Sequence, residues 1–222
     1  MITLHHLNNS RSQRVIWLLE ELQLPYQIRR YQRDPGTVLA PPELKAVHPL
    51  GKSPVITDGD ITVAESGAII EYIVETHGGE SLRPLPGTAA RRDYSYWLHY
   101  AEGSAMPLLV MTLVFSRLAH PPMPWLLRPL AAQIAKGVQR KLLNPQLAIH
   151  LDYIEKHLAK TGWFAGDAFS AADIQMSFVL EAASSRIAHA QGLPNIADFL
   201  KRIHARPAYQ KGLAKGGPYA YA

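Results

Sequence analysis

The apolar positions of this chain change period several times in the first eighty residues. Ile2 to Leu7 reads as a strand, and after the polar stretch NNSRS, Val15, Leu18, Leu19 and Leu22 fall on one helix face. Leu24-Pro25 ends that helix, and Tyr26 to Tyr31 alternates as a second strand, so the two strands should be parallel around a crossover helix. Pro41-Pro42 opens a short helix, PELKAV, closed by His48-Pro49. A short apolar run from Pro54 to Thr57 and a β-branched run from Ile61 to Val63 flank the turn Asp58-Gly59-Asp60 and predict a hairpin. Ser66 stands where an N-cap hydroxyl would, and Ile69, Ile70, Ile73 and Val74 repeat at helical spacing behind it.

The order βαβαββα in about 80 residues is the thioredoxin-like arrangement. Glycine and proline crowd the next stretch, with Gly78-Gly79, Pro84, Pro86 and Gly87, so residues 81–88 read as a linker between an α/β unit, 1–80, and a second unit, 89–222. The second unit is all helical by pattern. Tyr94, Trp97, Leu98, Ala101, Ala105, Leu108 and Leu109 form a stripe at spacings of three and four, interrupted only at PPMPW, 121–125. Further helices are expected over 126–143, 145–158, 171–190 and 196–205. Ser170-Ala171-Ala172-Asp173 has capping-box spacing, with Asp for the usual Glu, and is a folding signal.

Composition narrows the chemistry. The 222 residues contain no cysteine, which excludes disulfides, thiolate metal sites and a protein-borne thiol nucleophile. Any sulfur chemistry must come with a ligand. Ten histidines show no metal spacing, and no metal is expected. Lys and Arg exceed Asp and Glu by 23 to 18, and the excess lies in the second unit: 7 against 10 up to Glu80, 16 against 8 beyond it. No basic run exceeds Arg29-Arg30 or Arg91-Arg92 and none is interleaved with aromatics, which argues against nucleic acid. The N-terminus enters a strand without a signal pattern, an expectation of cytoplasmic location. The longest apolar run, 105–115, falls short of the roughly 20 residues of a membrane span and reads as a buried helix. Glu20-Glu21 reads as a solvated helix face.

Taken together, GKSPVI at 51–56, ESGAI at 65–69, NSRSQR at 9–14 and the S-x-x-D cap resemble the cytosolic glutathione transferases over essentially the whole chain. The first loop resembles the bacterial and fungal branch that uses a serine there. The resemblance implies a thioredoxin-like domain that binds glutathione as co-substrate, an all-α domain that holds a small hydrophobic electrophile, and a homodimer. By position, Pro54 matches the family's cis-proline. Ser53 would pair its backbone with the cysteinyl residue of glutathione, as though the tripeptide were an added strand. Ser66 at the helix start would hold the γ-glutamyl carboxylate, Glu65 would face the neighbouring ammonium, and Lys52 lies beside both. Arg33, Lys45 or Lys52 would meet the glycyl carboxylate.

The reaction is implied to sit in Asn8-Asn9-Ser10-Arg11-Ser12. A thiol of ordinary pKa, about 8.5, is only a few per cent ionised at neutral pH. One hydroxyl hydrogen bond to the anion, about 1.5–3 kcal/mol, with about 0.3–1 from a helix N-terminus, lowers that pKa by roughly one to three units. Ser10 matches the serine of the fungal SRxxR type, whereas the serine or cysteine position of the theta, zeta and omega types falls on Asn9, which could share or replace its role. Arg11 would add positive field, and Ser12 would cap the first helix. Tyr94, Trp97, Tyr100, Ser104 and Met106 are the candidates for the electrophile wall. Conjugation is the leading reading. Glutathione-dependent peroxidase or disulfide reductase chemistry, and a binding module without turnover, are the alternatives.

Overall fold

The computed structural model describes residues 1–34, 36–37 and 39–221. Its sheet is built from β1 (Ile2–Leu7), β2 (Tyr26–Tyr31), β3 (Val55–Asp58) and β4 (Ile61–Ala64), in the spatial order β2-β1-β3-β4. β1 and β2 are parallel, with Leu4 opposite Ile28, as a crossover requires. β3 lies antiparallel to both β1 and β4. The β3–β4 turn is shorter than the pattern implied: Asp58 pairs with Ile61, so the loop is Gly59-Asp60, with Gly59 at φ 58°. The Asp58 carboxylate is then held by the N-terminal amine, His77 and Tyr72.

Three helices accompany the sheet: α1 (Ser12–Glu21), α2 (Pro42–Val47) and α3 (Ser66–Thr76). After a short turn at Glu80–Leu82 the chain is helical. α4 (Ala89–Tyr100) runs through a π-turn, Ala101–Ala105, into α5 (Met106–Arg117), and α6 (Arg128–Val138) runs through a second, Gln139–Leu143, into α7 (Asn144–Thr161). α8 (Ala171–Arg186), α9 (Pro194–His204) and α10 (Pro207–Gly216) complete it. The last of these was not expected from the pattern: Tyr209 and Leu213 are too few apolar markers among PAYQKGLAKG.

One core joins both halves. Val15, Ile16, Trp17, Leu18 and Leu19 of α1 and Ile69, Ile70, Ile73 and Val74 of α3 meet Ile174, Phe178 and Val179 of α8. α8 is buried nearly all round from Ala171 to Ala183, so its sequence has no amphipathic period and its position comes from its cap. Ser170 and Asp173 form the capping box, and Asp173 also accepts from the Phe164 N–H at 2.9 Å. Replacing Ser170 by alanine is expected to cost about 0.5–2 kcal/mol, read as a lower urea midpoint at unchanged slope. An unchanged midpoint would show that the box does not hold α8.

Two expectations fail here. Glu20 and Glu21 are not solvated: Glu20 accepts from Tyr26 Oη at 2.5 Å and Lys215 Nζ at 2.6 Å, and Glu21 from Trp17 Nε1 at 2.7 Å and Arg206 Nε at 2.5 Å. α10, packed along α1, brings those cations. The run 105–115 is not a buried helix either. Met106 and Leu109 are buried, but Val110, Met111 and Val114 face outward because α5 meets its neighbours along one stripe only. The continuous helix Ala89–Arg117 is long and apolar enough to cross a membrane by length and composition, a test that bundle helices also pass.

Candidate active site

Three loop ends of the α/β half converge on one cleft: the segment 8–11 before α1, the segment 51–54 before β3, and Ala64-Glu65 before α3. The Ser53–Pro54 bond is cis. Ser53 is tied to β1, donating from Oγ to the His5 carbonyl at 2.9 Å and accepting from the Leu7 N–H at 3.3 Å. Glu65 precedes α3 at φ 70° and ψ 125°, a conformation rare for a residue with a Cβ, and functional sites concentrate such strain. Asn9, at φ 48°, is the second such residue on the cleft.

Arg11, His48, Lys52, Ser53, Pro54, Glu65, Ser66 and Glu102 enclose a cavity of about 310 Å³. α3 starts at Ser66, so the N–H groups of its first turn lack intrahelical partners. Ser66 is not the N-cap; Glu65 holds that place, and no side chain caps the helix. The Ser66 hydroxyl accepts instead from Arg14 Nη2 at 3.2 Å. Arg14, 2 % exposed, also donates to Glu102 Oε1 and to the Gln175 carbonyl. Burial pushes its guanidinium pKa down, and Glu102 opposes that shift. Glu102 sits on the π-turn between α4 and α5, where it also pairs with Arg11 at 3.0 Å. Carboxylates, arginines and a helix N-terminus therefore meet at one end of the cleft.

A second cavity, about 400 Å³, continues from the first past Ser10 and Asn9. Arg33, Lys45 and Lys52 all line it, so every cation proposed for the glycyl carboxylate lies on one wall. Ser10, 7 % exposed, holds Ser12 Oγ at 2.7 Å and accepts from the Ser12 N–H at 3.2 Å. Ser12 is fully buried and does not cap α1. Its hydroxyl is spent on Ser10, on His6 Nδ1 at 2.8 Å and on the Leu7 carbonyl at 3.3 Å, and Arg11 takes the N-cap place. Asn9 Oδ1 accepts from the Ala220 N–H at 2.9 Å, which leaves its amide NH₂, a pure donor, as the end for a ligand.

The third cavity, about 490 Å³, opens from Asn9 and Arg11 onto the helical half. Its apolar wall is Met106, Leu109, Val110, Leu113, Phe178, Ala182 and Tyr221. Of the five residues expected there only Met106 is on it. Tyr94 and Trp97 lie in the core at 0 % and 1 % exposure. Tyr100 stacks on Tyr96 and bonds His150, and Ser104 is half-buried away from these three cavities. The stripe of α4 faces α7 and α8, and only from Glu102 on the π-turn onward does the helix turn a side to the cleft.

The sequence reading missed Arg14, Glu102, His48 and Phe178. One signal was available: Arg14 lies four residues before Leu18, on the apolar face of α1, and a charge there demands a buried partner. Glu102, eighty-eight positions away, carried none. Among the described residues no group of three or more His, Asp or Glu side chains is placed to hold a metal.

Residues 1–75 match the family model for the glutathione S-transferase N-terminal domain, and 111–207 the model for its C-terminal domain. The chain belongs to the glutathione S-transferase family. It is 39 % identical to glutathione S-transferase 3 of Schizosaccharomyces pombe, over 94 % of this chain and 85 % of that one. Glutathione S-transferase 1 of Saccharomyces cerevisiae is 32 % identical over 94 % and 92 %. A crystal structure of a glutathione S-transferase from Actinobacillus pleuropneumoniae superposes with a TM-score of 0.77 at 34 % identity, covering 97 % of this chain and 93 % of that chain.

Proposed function

We propose that this transferase binds glutathione along the first two cavities, ionises its thiol at Ser10 and Asn9, and adds the thiolate to a small hydrophobic electrophile held in the third. One observation carries the reading: a cleft polar and charged at the α3 end shares Arg11 and Asn9, beyond Ser10, with a cavity of about 490 Å³ that has an apolar wall from α5 and α8 and is edged by Arg33, Arg117 and Arg186. Ser53 pairs its backbone with the cysteinyl residue beside Pro54. The start of α3 at Ser66 takes the γ-glutamyl carboxylate, while Glu65 and Glu102 face the ammonium. Lys52, Lys45 or Arg33 meets the glycyl carboxylate, and Arg11 spans the junction of all three cavities.

Residues 1–80 supply the glutathione side and 89–222 the electrophile wall, joined through 81–88. The enzyme is cytoplasmic and of the serine type. It works as a homodimer in which the acidic first unit of one subunit meets the basic second unit of the other. A monomeric mass in solution would overturn the last statement. The function itself is tested by a haloarene conjugation assay beside hydroperoxide and disulfide assays. Glutathione-dependent conjugation is the expected dominant activity; turnover confined to either of the other assays would replace it.

Leu113 touches the electrophile but not the tripeptide in this reading. Leu113→Ala is expected to weaken haloarene binding by about 1–2 kcal/mol, roughly 5- to 30-fold in KM, with the KM for glutathione unchanged. Equal changes in both would remove the third cavity from the electrophile.

A further inference from the structure

Ser10 does not stand alone. Its hydroxyl is the open end of a chain of three side chains, Ser10 Oγ to Ser12 Oγ at 2.7 Å and Ser12 Oγ to His6 Nδ1 at 2.8 Å. The chain is closed to solvent: Ser12 is fully buried and His6 is 4 % exposed. The backbone of Gly216 at the end of α10 favours the protonated ring, against the larger lowering by burial. Ser12 Oγ faces Nδ1, and in the neutral tautomer that carries its proton on the other ring nitrogen Nδ1 is an acceptor. In that tautomer Nδ1, at 2.8 Å, takes the Ser12 hydrogen in preference to the Leu7 carbonyl at 3.3 Å, and Ser12 in turn takes that of Ser10. Ser53, whose own hydrogen is on the His5 carbonyl, could also accept from Ser10, but at 3.5 Å it is the longer contact against 2.7 Å to Ser12. In this state Ser10 presents a lone pair to the cleft, the reverse of the donor a thiolate needs.

The direction of the chain therefore has to turn over when the thiol ionises, and we infer that His6 is the proton acceptor for the thiol of bound glutathione, through Ser12 and Ser10. This inference rests on the placement of glutathione given above. The step balances within the site. The thiol S–H bond breaks and its proton bonds to Ser10 Oγ as the Ser10 proton passes to Ser12 and the Ser12 proton to His6 Nδ1. The sulfur keeps the electron pair. The products are a thiolate and an imidazolium, and every hydroxyl between them has reversed, so that Ser10 now donates to the sulfur. One transfer both removes the proton and creates the stabilising donor.

The surroundings of the ring suit a group that is uncharged before glutathione arrives. Burial, and then Arg30 across the β1–β2 register, lower the His6 pKa below its ordinary value. Arg30 is the charge that faces the ring from β2, and it is fixed by donating to the Lys215 carbonyl. From α10 the Gly216 backbone raises the ring's pKa slightly, and the Lys215 ammonium is paired with Glu20. From α1 it meets Ser12. A thiolate at the far end of the chain supplies the negative charge that favours the imidazolium.

The test counts protons. Glutathione is titrated into the enzyme near neutral pH by calorimetry in buffers of different ionisation enthalpy, while thiolate is read by its ultraviolet absorbance. The expected result is thiolate formation with close to no proton released to the buffer. His6→Gln should bind glutathione yet lose roughly tenfold or more of its thiolate at neutral pH, one pKa unit or more. What thiolate remains should appear with about one proton released for each. Ser12→Ala cuts the chain without touching the ring and should show the same loss, so it carries the test should the His6 variant fail to fold. Release of about one proton per thiolate by the wild type overturns the inference alone, as does full thiolate in both variants. A wild type that binds no glutathione overturns the function and the inference with it.

Discussion

Arg14→Ala is expected to lower the unfolding free energy by about 3–5 kcal/mol, the cost of removing one member of a buried ion pair. The guanidinium is the place where three elements are joined: its own helix α1, the start of α3 through Ser66, and the π-turn through Glu102, with the Gln175 carbonyl of α8 as a fourth partner. Its removal leaves the part-buried Glu102 with Arg11 as its remaining cation. A loss of that size is a large share of the about 5–15 kcal/mol that holds a typical domain. Urea unfolding followed by circular dichroism measures it. Arg14→Lys should recover only a small part, since an ammonium cannot reach a carboxylate, a hydroxyl and a carbonyl in one plane. An alanine variant with the wild-type midpoint would show that Arg14 serves the ligand alone.

The second large effect is on turnover. Ser10→Ala removes a hydrogen bond to an anion, about 1.5–3 kcal/mol, so the bound thiol pKa should rise by about one to two units. At neutral pH that corresponds to a fall in kcat/KM of roughly 10- to 150-fold. Glutathione affinity should change little, because in the proposed placement the tripeptide's charged ends lie at the start of α3 and against Arg33, Lys45 and Lys52. Thiolate absorbance across a pH series, with calorimetric affinity in parallel, checks both parts. An unchanged thiol pKa would end the role of Ser10 and pass it to Asn9, whose NH₂ faces the same cleft.

Much of the glutathione half was legible because it is local. The hairpin, the start of α3 and the proline that opens β3 lie within twenty-five residues, and each is set by short-range rules: a strand period of two, a two-residue turn, a helix stop. Even there the sequence misplaced a boundary. Ser66 has the residue type of an N-cap, yet Glu65 holds the position, and the serine hydroxyl is taken by an arginine fifty-two residues earlier. Ser12 failed in the same way, since a buried histidine and a neighbouring serine compete for the hydroxyl that would have capped α1.

The aromatic stripe of α4 was not legible as core for a different reason. A stripe of Tyr94, Trp97 and Tyr100 shows that one face of α4 is covered, but periodicity cannot say whether a neighbouring helix or a cavity covers it. Here α7 and α8 do, and the rings stack into the core. The cavity wall comes from α5, from Phe178 on a helix buried all round, and from Tyr221 near the chain end.

By itself, then, the amino-acid order determined the run of strands and helices up to α9, the cap that starts α8, the absence of a protein thiol, and the family whose motifs it carries. Those follow from neighbours along the chain, where spacing fixes geometry. The tertiary structure alone decided which aromatic residues are core and which face the cleft, that Glu20 and Glu21 are bound by α10, that Arg14 and Glu102 meet, and that His6 stands behind Ser10. Each depends on the distance between groups far apart in sequence, which packing sets and no local period records.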